Sequence, residues 1–219
     1  MKSPSKNKLF IIGDSFGRWP FPEQQHWTDY MKQHYEVKNF AYGGASFAEL
    51  CFQTTYIEDY KEGDRLIVVV TEPTRFSKYM RVYLGQNTQE GQDIINTIKM
   101  GRYEDLEHLR KNKKDVIPRL HKRYGNSHNK AYADLFFIIN LQKHYSILNP
   151  LYVTWNDYAS KLFDGLVENF LLLRESDYTS LHQEGIIEND HHPGIEGNKV
   201  WYRKILSKLV GDPMNSSYI

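Results

Sequence analysis

The residues able to do chemistry lie near the two ends of this chain. Gly13-Asp14-Ser15 follows a short apolar run, Leu9 to Ile12, which stops at the glycine. A serine hydroxyl is a poor nucleophile at neutral pH and needs a base within hydrogen-bond reach. That base is in turn oriented by a third group, usually a carboxylate. The segment Asn189-Asp190-His191-His192-Pro193-Gly194 offers both groups together. Asp190 can hold one ring nitrogen of His192 while the other nitrogen faces Ser15. His191 is the competing base, but Asp190 would then be its immediate neighbour, a less natural geometry. The backbone N–H of Ser15 can face a developing oxyanion. The chemistry this set supports is acyl transfer through a covalent serine intermediate, with no cofactor required. A metal site is not expected, because adjacent histidines splay apart and no third ligand has suitable spacing. Asp14 either ties the serine loop by hydrogen bonds or lines the substrate site.

Positioning these residues falls to alternating strands and helices. Leu9 to Ile12 reads as a buried first strand. Trp27, Tyr30, Met31 and His34 fall at helical spacing, predicting an amphipathic helix from about Glu23 to Tyr35. Glu36 to Phe40 reads as a second strand ended by Gly43-Gly44. Phe47, Leu50, Cys51, Thr54 and Ile57 form the next helical stripe, which places Cys51 in the core. Arg65 to Thr71 contains a near-continuous β-branched run, as in a parallel sheet covered on both faces. Leu151 to Thr154 is the fourth strand. Phe170 to Leu173 reads as a fifth strand or a buried helix end. Gly197 to about Val210 closes the pattern as an amphipathic helix. Such alternation implies a doubly wound parallel sheet, whose site lies beyond the carboxyl ends of the strands. The residues to inspect are then Asp14-Ser15, Gly43-Gly44, Thr71 to Arg75 and Thr154 to Asp157. Trp155 in the last group either lines a pocket or precedes a helix cap at Asn156. The sequence Gly13 to Gly17 also spells G-x-S-x-G, but that nucleophile elbow needs several strands before it and only one precedes residue 13.

The blocks taken together resemble the SGNH (GDSL) hydrolases. Gly13-Asp14-Ser15 matches the nucleophile block, Asn39-Phe40-Ala41-Tyr42-Gly43-Gly44 resembles the second block, and His192-Pro193 matches the last. The resemblance covers the chain in order and implies an α/β fold: a flavodoxin-like three-layer sandwich with a parallel sheet of about five strands. It implies Ser15 and His192 as catalytic residues, Gly44 as an oxyanion donor beside Ser15, and acyl esters, including carbohydrate O-acetyl groups, as substrates. Two departures stand out. The acid is Asp190, two residues before His192, where the family usually has an aspartate three before. The family's Gly-x-Asn-Asp block is replaced by Thr71-Glu72-Pro73-Thr74-Arg75-Phe76, which lacks the oxyanion asparagine. Thr71, Thr74 or Arg75 is the replacement, Arg75 preferred. This stretch also resembles SGNH-like proteins of tailed phages. The missing donor keeps open a weakly active or inactive binding module, and the same acyl-enzyme could serve an acyltransferase.

Composition narrows the class further. The 219 residues suit one α/β domain, with 40% hydrophobic and 25% charged residues and a net charge of +1. Residues 76–149 are expected to form a helical insertion or cap within that domain. It carries eight cations between Arg110 and Lys130 against Asp115 alone, either a solvated face or a surface for an anionic substrate. With so small a net charge, and with no nucleic-acid-binding motif, nucleic acid is not the expected partner; a small-molecule or polysaccharide ester is. The single cysteine, Cys51, excludes an internal disulfide. Met1 to Lys8 is polar with no apolar signal-peptide core (h-region) behind it and no stretch approaches a membrane span, so a cytoplasmic location is the default.

Overall fold

The computed structural model describes residues 5–18, 25–70, 127–155, 159–161, 165–173 and 192–211, with side chains described from residue 136 onward in the helix that begins at 127. Five strands form one sheet: β1 (Lys8–Ile12), β2 (Glu36–Asn39), β3 (Arg65–Val69), β4 (Leu151–Thr154) and β5 (Phe170–Leu172). Their order is β2-β1-β3-β4-β5, and every pairing is parallel. Among the described residues the α-helices that cover the sheet are α1 (Trp27–Met31), α2 (Phe47–Gln53), α3 (Ser127–His144) and α4 (Ile195–Val210). The expected α/β class and strand count are therefore present, and the order is that of a flavodoxin-like sheet. Phe170 to Leu172 is a strand, which settles the alternative of a helix end. Among the described residues no helix is long and apolar enough to cross a membrane.

The inner strands β1, β3 and β4 are almost wholly apolar and buried because both faces of the sheet are covered, whereas the edge strand β2 alternates exposed and half-buried residues. Side chains alternate across a strand, so β1 sends Leu9 and Ile11 to one face and Phe10 and Ile12 to the other. Leu9, Ile11, Ile67, Val69, Leu151 and Val153 meet Trp27 and Met31 of α1 and Trp201, Ile205 and Leu209 of α4. Phe10, Ile12, Leu66, Val68 and Tyr152 meet Phe47 and Leu50 of α2 and Ile138 and Leu141 of α3. The result is three layers with a core on each side of the sheet. α3 falls within the segment read as an insertion, and its C-terminal turns pack on the sheet; residues 76–126 of that segment lie outside the described residues.

Two helices differ from their expected form. α1 covers Trp27–Met31 rather than 23–35. It starts late because His26 caps it: the Asp29 carboxylate accepts from the His26 N–H at 3.1 Å, and His26 Nδ1 accepts from the Thr28 N–H at 3.4 Å. It stops early because the chain tightens, Lys32, Gln33 and His34 each donating to the carbonyl three residues back. The apolar stripe still does its work, since Tyr30 and His34 pack on Tyr202 of α4. On α2 the buried row is Phe47, Leu50 and Gln53, and Cys51 is exposed rather than in the core. Residues three before and three after Leu50 flank it closely on the helix face, whereas its successor is turned by roughly 100°. The inward glutamine thus sets the rotation that turns Cys51 out.

Ile67 is fully buried at the centre of the sheet. Ile67→Ala should lower unfolding free energy by about 2–5 kcal/mol, read as a reduced urea midpoint with unchanged slope.

Candidate active site

The strand order reverses direction at β1 and β3, and the chain leaves β1 straight into the serine turn. Gly13 has φ +149°, and a Cβ there would lie 2.5 Å from Val69 Cβ and 2.7 Å from Val69 O. Only glycine lets the chain turn so close to the neighbouring strand. Residues 14–18 then form a tight turn, with Gly17 N–H donating to Asp14 O at 2.9 Å and Arg18 N–H to Ser15 O at 3.2 Å. Asp14 is fully buried and its carboxylate accepts from the Phe16 N–H at 3.0 Å. Of the two roles open to Asp14, tying the loop is the one seen.

His192 Nε2 lies 2.7 Å from Ser15 Oγ. The serine hydroxyl donates in this contact whenever Nε2 is unprotonated. The imidazole plane is fixed from one side by the Phe16 ring, stacked at 4.1 Å and 16°. Phe16 also stacks on Trp155 at 4.7 Å and on Trp201 at 5.5 Å. Trp155 therefore stands beside the pair, half-buried. The Phe16 carbonyl accepts from Trp27 Nε1 at 2.7 Å, which ties the serine turn to α1.

Three buried or half-buried carboxamides hold the loops. Asn198 of α4 accepts from the Trp27 N–H at 3.1 Å and donates to the carbonyls of Pro193 and Gly194 at 2.8 and 3.0 Å, fixing the segment that carries His192. Asn39 donates to Gly17 O at 2.8 Å and accepts from the Ala41 N–H at 3.0 Å. Gln53 accepts from the Gly13 N–H at 2.6 Å and donates to Gly13 O at 2.9 Å. None of these amides was marked as a site residue by the sequence reading. The signal was present for Gln53 and Asn198, each a polar residue set among apolar helix positions. The second loop, Gly43-Gly44, passes beside the serine: a Cβ on Gly43 would lie 3.9 Å from Ser15 Cβ. Gly44 has φ +75°, a conformation that favours glycine.

The structure thus brings Ser15, His192, Trp155, Asp14 and the Gly43-Gly44 loop together at one end of the sheet. Asp190, His191, Thr71, Thr74 and Arg75 lie outside the described residues. The cleft of about 350 Å³ lined by Arg18, His26, Thr28, Asp29, Lys32, Val37 and Asn39 opens beside the turn and includes neither Ser15 nor His192.

Electrostatically the notable neighbour is His26. Burial holds its pKa down to about 3, against the raising effect of Asp29 and with the help of His192. Burial likewise raises the Tyr42 phenol, with the charge of Glu49 acting in the same direction and the Gln53 amide against it.

The fold and site define a flavodoxin-like α/β protein with a serine–histidine pair at the sheet's switch point. Among solved structures the chain is similar to a member of the lipolytic G-D-S-L family from Veillonella parvula, with 13% identity, a TM-score of 0.36, and 91% of this chain and 96% of that chain covered. It is also similar to a catalytic mutant of an acetylxylan esterase from Geobacillus stearothermophilus, with 13% identity, a TM-score of 0.40, and 95% and 96% covered. No protein-family model matches the chain, and no curated protein matches it.

His26 yields a pH prediction. Its pKa is depressed on folding from 6.5 to about 3, so between those values the unfolded chain binds the extra proton. The stability held above pH 6.5 is therefore lost progressively as pH falls toward 3. Denaturant titrations should show that decline in the wild type and a shallower one in His26→Asn, which keeps a capping side chain.

Proposed function

We propose that this protein is a serine-dependent hydrolase of acyl esters, of the SGNH type. The observation that carries the reading is the 2.7 Å contact between Ser15 Oγ and His192 Nε2, made by residues 177 apart in sequence at the carboxyl end of β1. A serine and histidine so placed form the nucleophile–base unit that acyl transfer requires. His192 takes the proton from Ser15 as Oγ attacks the ester carbonyl. The N–H groups of Ser15 and Gly44 hold the resulting oxyanion. His192 then returns the proton to the leaving alcohol, leaving an acyl-Ser15 that water, deprotonated by the same imidazole, converts to the free acid. In this reading Asp190 orients the second nitrogen of His192, and Arg75 or Thr71 supplies the oxyanion contact that an asparagine would give. Trp155, half-buried beside the pair and backed by Phe16, offers an apolar face suited to a small acyl group or a sugar ring, in keeping with carbohydrate O-acetyl esters. In the same reading the segment 76–149, with its basic run, sets specificity.

The test is covalent labelling with a fluorophosphonate probe. The wild type should be labelled at Ser15, and Ser15→Ala and His192→Ala should each lower the rate at least about 10³-fold. Asp190→Asn should lower it roughly 10²–10⁴-fold; a wild-type rate there would remove Asp190 from the triad. No labelling of folded wild-type protein would favour a non-catalytic binding module, to which the missing asparagine of the third block points.

A further inference from the structure

The end of β1 poses a hydrogen-bonding problem. Gly13 lies past the last strand residue, where its N–H and C=O still need partners, and a buried backbone group without one costs stability. The carbonyl receives the Tyr42 N–H at 3.2 Å. The N–H points to Gln53 Oε1 at 2.6 Å, and the same carboxamide returns a hydrogen bond to Gly13 O at 2.9 Å. Gln53 is fully buried. The backbone at Gly13 is closed off on its other side by Val69, so its two peptide planes have one orientation available. Those planes set the direction in which Asp14 and Ser15 leave the strand.

The helix that carries Gln53 also carries the second loop. α2 begins at Phe47, capped by Ser46, whose N–H donates to the Glu49 carboxylate at 2.7 Å. Gly44 stands just before that cap and Gln53 is the last residue of the helix. One rigid element therefore ends on the glycine that precedes the nucleophile loop and begins beside the loop that passes Ser15. We propose that Gln53 is a positioning residue for the nucleophile: its carboxamide clamps Gly13 so that Ser15 Oγ meets His192, and through α2 it keeps the N–H groups of Ser15 and Gly44 in register. The inference rests on the serine-hydrolase reading above.

A carboxamide suits this task because it presents one acceptor and one donor side by side. Methionine has the length but neither bond. A protonated glutamate keeps both, its carbonyl accepting from the Gly13 N–H and its hydroxyl donating to Gly13 O. An ionised glutamate keeps the first and sets a negative oxygen against the Gly13 carbonyl. Burial raises the pKa of such a carboxyl above its ordinary value of about 4.3, so ionisation would fall within the range where the protein can be assayed.

The experiment measures the rate of fluorophosphonate labelling of wild type, Gln53→Met and Gln53→Glu from pH 6 to 9.5, with folding checked at each pH by near-ultraviolet circular dichroism. Each rate is taken as a ratio to wild type at the same pH. Gln53→Met should be slower by about 10- to 100-fold, the usual cost of displacing a reacting group by about an ångström. With p-nitrophenyl acetate as substrate the loss should fall on kcat, with KM within about twofold of wild type. Gln53→Glu should approach the wild-type rate at the acid end and lose at least about tenfold as its carboxyl ionises. If Gln53→Met does not fold, the pH course of Gln53→Glu decides. A Gln53→Met rate within about threefold of wild type, or a Gln53→Glu rate slowed equally at both ends of the range, would overturn the proposal while leaving the hydrolase reading intact. Absence of labelling in the wild type would instead remove that reading, and this inference with it.

Discussion

The contact between Ser15 and His192 joins positions 177 residues apart, and most of the structure around it can be understood as the means of keeping it. A hydrogen bond of this kind weakens steeply with distance and angle. Both partners stand on loops, which are the mobile parts of a domain. The sheet alone cannot supply the needed accuracy, because Ser15 lies three residues beyond the end of β1 and His192 precedes α4. Accuracy comes from fixing the backbone of each loop to a buried element: the serine turn to α1 through Trp27 and to α2 through Gln53, and the histidine segment to α4 through Asn198.

Amides do this work where charges would not. A buried ionised group carries a desolvation cost that only excellent pairing repays, whereas a neutral carboxamide needs one donor and one acceptor, which a peptide unit offers. Asn39, Gln53 and Asn198 each accept from a backbone N–H and donate to a backbone carbonyl. Asn198 is additionally forked, holding two carbonyls in succession, and so fixes the direction in which the chain enters α4. Asp14 is the exception, a buried carboxylate, and it accepts from the Phe16 N–H within its own turn.

What could be read from the sequence follows from the range of the interactions involved. The inner strands were legible because burial on both faces leaves a nearly unbroken apolar run, and all five strands lie within two residues of their expected bounds. Ser15 and His192 stood out as candidates because a serine after a strand-ending glycine and a histidine before a helix start are local features, and Gly44 through the resemblance of its block. The limits of α1 were not, since they depend on a histidine serving as cap and on a tightened last turn. Cys51 was misplaced because its stripe assumed that only apolar residues face inward. The face is set instead by Gln53, whose reason for burial is a backbone group forty residues away. Such a partner has no signature in a single window of sequence.

The environment of the imidazole gives the same logic an electrostatic form. When His192 takes a proton it becomes a cation, and any cation nearby would oppose that step. His26 is close enough that the charge of His192 contributes to lowering its pKa; by reciprocity a charged His26 would penalise a charged His192. Burial, the largest cause of the depression to about 3, keeps His26 neutral at any pH where the serine chemistry could run. The buried capping role of His26 thus keeps a second positive charge away from His192. The residue that starts α1 is held in a place where burial disfavours its charged form. Phe16 completes the arrangement: stacked flat on His192, it fixes the ring plane through dispersion and shape, and adds no charge of its own to the site.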